Sequence, residues 1–69
     1  MIYSSYDLLM YIYDHNGNLR LTPDLGKELG ISIDDLESFV SDLESCGYIR
    51  RHIRSYSITP AGQTFLKNN

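Results

Sequence analysis

The chain has no tryptophan, one cysteine and two prolines in 69 residues. A single cysteine, Cys46, excludes an intramolecular disulfide. The two histidines, His15 and His52, lie far apart without a paired cysteine, so the spacing of a structural zinc site is missing. No apolar run approaches the roughly 20 residues that span a bilayer. The opening stretch "MIYSSYDLLMYIYDHNG" has no basic leading region and carries acids among its apolar residues. Neither a signal peptide nor an anchor is expected there, and the cytoplasm is the expected compartment. Also missing are a Gly-rich phosphate loop, a metal-ligand cluster and a Ser/His/Asp set at informative spacing. No enzyme, cofactor or metal is expected.

What is present suits a globular domain. Hydrophobic residues make up 42% of the chain, too many for a disordered segment. Sixty-nine residues allow one domain, 1–69. A chain of this size buries only about 60% of the surface its unfolded form exposes, so its stability is expected to be marginal. Efficient packing or self-association has to supply the support that disulfides and metals give elsewhere.

The net charge of −3 is unevenly spread. Residues 1–23 carry −1, residues 24–45 carry −6, and residues 46–69 carry +4. An acidic middle is thus followed by a basic final third with no acid in it.

Local signals divide the chain into elements. Ser4 and Asp7 have capping-box spacing ahead of the apolar run Leu8 to Tyr13, and Asn16-Gly17 closes it, predicting a helix from about Ser5 to His15. His15 at its end suits a capping role. Asn18 to Leu21 alternates polar and apolar residues, as a very short strand does. Thr22-Pro23-Asp24 offers an N-cap hydroxyl and a proline for the first helical position, so a second helix is expected over Pro23 to Leu29, stopping at Gly30. Ser32 and Asp35 repeat the capping pattern before a third helix, Ile33 to Cys46. In it Ile33, Leu36, Phe39, Val40, Leu43 and Cys46 share one face, with Leu36, Phe39, Val40 and Leu43 as expected core anchors and Cys46 as a small buried hydrophobe. Gly47 supplies a left-handed cap. Tyr48 to Ile58 is rich in β-branched and aromatic residues with a polar centre, which predicts a hairpin. Thr59-Pro60 then starts a short helix over Pro60 to Lys67.

The stretch "LTPDLGKELGISIDDLESFVSDLESCGYIRR" followed by "YSITPAG" resembles the winged helix-turn-helix family of DNA-binding domains. Leu43-x-x-x-Gly47-Tyr48-Ile49 looks like the end of a recognition helix entering the wing. Ile58-Thr59-Pro60-x-Gly62 resembles the strand-to-last-helix junction of MarR- and PadR-type regulators. The resemblance implies an α+β, mainly helical fold: a three-helix core, a short strand, a β-hairpin wing and a short C-terminal helix. It also implies a transcription regulator that binds double-stranded DNA, with the third helix in the major groove and the wing on the backbone or minor groove.

The residues themselves leave two functions open. The solvent side of the third helix carries Asp34, Ser38, Ser41 and Ser45, flanked by Glu37 and Glu44 on one side and Asp35 and Asp42 on the other. It has none of the Arg, Lys, Asn or Gln that make bidentate base contacts. Asp34 and Asp35 suit the first turn, where acids offset the helix dipole. Ser38 and Ser41 can donate to phosphates or bases, and an acid such as Asp34 can accept from cytosine. The hairpin, by contrast, holds Arg50, Arg51, His52 and Arg54, a basic wing fit for phosphates unless it pairs with the acidic helix. Strand alternation allows Arg51 to point outward with Arg50 and His52 on the other face. The first reading is therefore a DNA-binding regulator using Arg50, Arg51, His52, Arg54, Ser38, Ser41 and Asp34. The second is an adaptor, antirepressor or phage-type inhibitor that binds another protein through the acidic face of the third helix.

The first helix has apolar residues over an arc of roughly 200°, against the little more than about 100° a core-facing stripe needs. Tyr6, Met10 and Tyr13, with Tyr3 nearby, are the expected surplus, a homodimer interface unless the last helix covers them.

Overall fold

A computed structural model describes residues 2–68. The chain folds as four helices and a three-stranded antiparallel sheet, an α+β domain. In order these are α1 (Ser5–Asp14), β1 (Asn18–Arg20), α2 (Leu25–Leu29), α3 (Ile33–Ser45), β2 (Ile49–Arg51), β3 (Ser55–Ile58) and α4 (Pro60–Lys67). All seven expected elements occur in the expected order. No described helix is long and apolar enough to cross a membrane.

Three of the four helix starts obey local chemistry. Ser4 Oγ accepts from the Asp7 N–H, Ser32 Oγ from Asp35, and Thr59 Oγ1 from Gly62, at 3.1 to 3.2 Å. Each bond satisfies one of the N–H groups that a first helical turn leaves without a partner. Asp7 reaches back one residue past the cap and accepts from the Tyr3 N–H at 2.9 Å, a variant of the reciprocal box. At the far end of α1, His15 is the C-cap, and its Nδ1 lies 2.8 Å from the Tyr11 carbonyl oxygen. Asn16 and Gly17 then follow with φ of 64° and 76°, the left-handed pair that turns the chain into β1.

The start of α2 departs from expectation. Thr22 does not cap, and the helix begins at Leu25 instead of Pro23. The Leu25 N–H donates to the Thr22 carbonyl at 3.2 Å, closing a tight i→i+3 turn, while Asp24 takes the cap position without a side-chain bond. The main-chain carbonyl of Thr22 does the work assigned to its hydroxyl.

The sheet order is β1-β3-β2, with Leu19 opposite Tyr56, Arg20 opposite Ser55, Arg50 opposite Ser57 and Ile49 opposite Ile58. Strand alternation turns Leu19, Tyr56 and Ile49 inward, where all are buried. They meet Leu8, Leu9 and Ile12 of α1, each at 0% exposure, with Ile2, Leu25, Leu29, Val40 and Leu43 closing one continuous core. Helix α1 is the centre of this core: it packs against α3, β1, β3 and α4.

Helix α3 contributes less than its pattern promised. Val40 and Leu43 are buried, but Leu36 and Phe39 are only half-buried and Ile33 is 61% exposed. Cys46 is an exposed thiol rather than a buried small hydrophobe. It is the C-cap of α3 and keeps helical φ and ψ, but it lies at the open rim of a groove shared with Leu43, Tyr48 and Phe65, where no described residue covers it.

Candidate nucleic-acid interface

The residues of interest lie on the sheet and on the solvent side of α3. Alternation along β1, β3 and β2 puts Asn18 and Arg20, Ser55 and Ser57, and Arg50 on the face of the sheet turned away from the core. This face carries positive charge and hydroxyls. Beyond Arg50, His52 places Nε2 2.7 Å from Ser57 Oγ, so it shares that face. Arg54 follows in the loop between β2 and β3, with a fully solvated Ile53, 97% exposed, at the tip.

Arg51 does not share that face, which reverses the expected outward placement. It stands on the Ile49 side of β2, where its guanidinium lies 5.5 Å from the Tyr56 ring centroid and 3.4 Å from Glu44 of α3. Both partners of the ion pair are well exposed, at 64% and 38%, so the pair adds little stability, typically under about 1 kcal/mol. What it does is point one hairpin cation at α3 and take it from the basic surface. Among the described residues this is the one ion pair, and Arg20, Arg50 and Arg54 have no carboxylate partner.

Two of the acids on α3 are likewise occupied internally. Glu44 faces Arg51, and Asp42 Oδ2 accepts from Ser5 Oγ at 3.1 Å, tying α3 to the start of α1. The open strip is therefore Asp34, Glu37, Ser38, Ser41 and Ser45, all exposed. Asp34 and Asp35 occupy the first turn of α3, where the helix dipole favours them. The strip is polar and negative, while the outer face of the sheet is positive. The expected site residues thus fall into two surfaces: Arg50, His52 and Arg54 on one, and Asp34, Ser38 and Ser41 on the other, with Arg51 between them.

The expected exposed patch on α1 is smaller than its wheel suggested. Tyr6 is half-buried, its ring set edge-on to Phe65 of α4 with centroids 5.9 Å apart, so α4 covers it. Tyr3, Met10 and Tyr13 remain exposed, at 76%, 43% and 45%. Met10 and Tyr13 border a small groove of about 180 Å³ between α1 and α4, closed by Leu66.

Arg20 is the site residue that sequence reading missed. Its strand is three residues long and its nearest charged neighbour in sequence is Asp24, so nothing local links it to the hairpin. Only the pairing of β1 with β3 brings it beside Arg54, and both line an open cavity of about 420 Å³ with Leu21 and Ser55. No three His, Cys, Asp or Glu side chains gather as metal ligands among the described residues. No protein family, curated protein or solved structure matches this chain.

Proposed function

We propose that the chain is a cytosolic, winged-helix DNA-binding protein, a small transcription regulator that grips the duplex mainly through its wing. The observation that carries this reading is the set of exposed wing cations, Arg50 and Arg54, with no carboxylate partner among the described residues, on a chain segment that contains no acid. Arginine presents a planar fork of donors that matches phosphate oxygens, and His52 adds a further polar contact. Helix α3 takes a secondary part in this picture. Ser38 and Ser41 can donate to phosphates or base edges, and Asp34 can accept from cytosine. The remaining acids oppose a deep approach of α3 to the backbone, so binding is expected to be weak and strongly salt-dependent.

A salt titration against random duplex DNA tests this. The logarithm of the affinity should fall linearly with the logarithm of salt, by about 0.9 for each phosphate contacted. Arg50→Ala with Arg54→Ala should reduce that slope by about 2 and weaken binding at about 50 mM salt by one to two orders of magnitude. An unchanged slope in the double variant defeats the wing-centred reading.

A second reading is supported by a different surface. The negative strip on α3, bordered by Ile33 at 61% exposure, offers an apolar point among acids and suits a basic protein partner. A parent protein that shows no duplex binding at low salt favours this reading over the first.

The residual patch of Tyr3, Met10 and Tyr13 supports a homodimer, which would serve either function by pairing two wings or two acidic faces. Tyr13→Glu is the cleaner test, because Tyr6 is already engaged by Phe65. It should shift a dimer to monomer in sedimentation equilibrium and lower the melting temperature more at low protein concentration. A parent that stays monomeric at about 100 µM, well above a micromolar dissociation constant, rules the dimer out.

A further inference from the structure

We propose that the open cavity lined by Arg20, Leu21, Arg54 and Ser55 is a phosphate-binding site that seats one backbone phosphate of duplex DNA. This rests on the DNA-binding reading above and adds to it a contact outside the wing.

The pairing of β1 with β3 builds the site. Arg20 stands opposite Ser55, and the next residue, Leu21, donates its N–H to the Arg54 carbonyl at 2.9 Å. Two arginines from distant parts of the chain, Arg20 on β1 and Arg54 in the loop just before β3, thereby line one cavity. Neither has a carboxylate partner among the described residues. Both exposed arginines border the cavity with no counter-charge from the described residues, so an anion there is attracted by both. Phosphate fits because each guanidinium offers two parallel N–H donors to its oxygens, and the Ser55 hydroxyl adds another donor at the cavity wall. The cavity, about 420 Å³, is open to solvent, so a phosphate joined on both sides to sugars can enter it.

The site also has a defined relation to the wing. Arg20 on β1 and Arg50 on β2 flank the central strand β3 on the same outer face. Two inter-strand steps and two residues along the strand separate them, about 12 Å between backbones. They therefore address different phosphates, and their effects on binding should add. Between them β3 presents the half-buried hydroxyls of Ser55 and Ser57, with the His52 ring against Ser57.

The experiment is salt-dependent binding of the full chain to a random duplex, with Arg20→Ala, Arg20→Lys, Arg50→Ala and the Arg20→Ala/Arg50→Ala pair. Arg20 is exposed, so melting temperatures should match the parent within a degree or two. The site is supported if Arg20→Ala lowers affinity about three- to tenfold and the salt slope by about 1. The double variant should then lose about 2 from the slope, and Arg20→Lys should keep the slope while losing part of the affinity. If Arg50→Ala lowers the slope and Arg20→Ala leaves it unchanged, the cavity site is wrong and the wing reading stands. If the parent does not bind duplex at all, both fall together. Tighter binding of single-stranded RNA than of duplex overturns the assignment. So does displacement of duplex by about 1 mM inorganic phosphate at constant ionic strength, which would mark a pocket for the free ion.

Discussion

Leu8→Ala should leave this protein largely unfolded at 37 °C. Leu8 has no solvent exposure and sits mid-way along α1, the helix that packs on α3, α4, β1 and β3. Removing a fully buried leucine side chain costs about 2–5 kcal/mol, the higher figure where the surroundings cannot close on the cavity. Collapse is hindered here because Leu9 and Ile12, also fully buried, hold the same helix against other walls of the core. A domain of this length has a total stability of only about 3–10 kcal/mol. Phe39→Ala is the informative comparison. Its ring is half-buried on α3, so the about 3–5 kcal/mol lost on truncating a buried phenylalanine should shrink to roughly half. Urea unfolding followed by circular dichroism orders the two: the Leu8 variant should have much the lower midpoint. A Phe39 variant less stable than the Leu8 variant would move the centre of the core from α1 to α3.

That ordering could not be read from the sequence, and the reason is general to this chain. Ser4, Ser32 and Thr59 were recognisable as caps because a cap bond spans three residues and needs nothing else. The left-handed glycines at 17, 30 and 47 were legible for the same reason. Helical periodicity also identified the inward side of α3, but it says only which side faces in, not how deeply a partner covers it. Burial depends on what arrives from elsewhere, so Ile33 and Cys46 were placed inside and lie outside. The reverse holds for Tyr6, which a helix some sixty residues later covers through Phe65.

The candidate site shows the same division. The acid-free final third and its arginines were visible as composition. Which of those arginines is free was not, because that depends on strand register. Register sends Arg51 toward Glu44 and the Tyr56 ring, and Arg50 to the opposite face beside Ser57. Likewise Asp42 looked like surplus charge on α3 until Ser5 was seen to donate to it across the α1–α3 contact. Two of the acids that counted against DNA binding thus have structural roles, and one of the cations that counted for it is engaged. These two corrections act in opposite directions on the function.

Gly62→Ala should destabilise the fold by about 1–3 kcal/mol, although local preference predicts the opposite sign. Gly62 lies in the first turn of α4, where alanine is a better helix former by about 1 kcal/mol. Sterics oppose that gain. A β-carbon at Gly62 would collide with the Tyr48 carbonyl oxygen and stand 2.8 Å from Ile58 Cγ1. The carbonyl cannot swing aside, because it accepts from the Thr59 N–H at 2.9 Å, and Thr59 Oγ1 donates to the preceding Gly47 carbonyl at 2.6 Å. The strap between α4 and the entry to β2 is therefore tight at the point where the methyl group must go. Pushing α4 away would also loosen the Tyr48–Phe65 stack, whose centroids lie 4.7 Å apart, and the edge contact of Phe65 with Tyr6. Gly47→Ala is the control with the opposite cause. Its β-carbon would meet nothing within 4 Å, but φ is +77°, so the cost is the about 1–2 kcal/mol of a left-handed alanine. In a domain of this size 1 kcal/mol moves the melting temperature by about 4–8 °C, so thermal melts will resolve both changes. Proton chemical shifts of Phe65 separate the mechanisms: they should move in Gly62→Ala, where the rings part, and stay near parent values in Gly47→Ala. A Gly62 variant that melts at or above the parent temperature would show that α4 slides freely on the Tyr48 backbone, and the strap would then be no constraint on the fold.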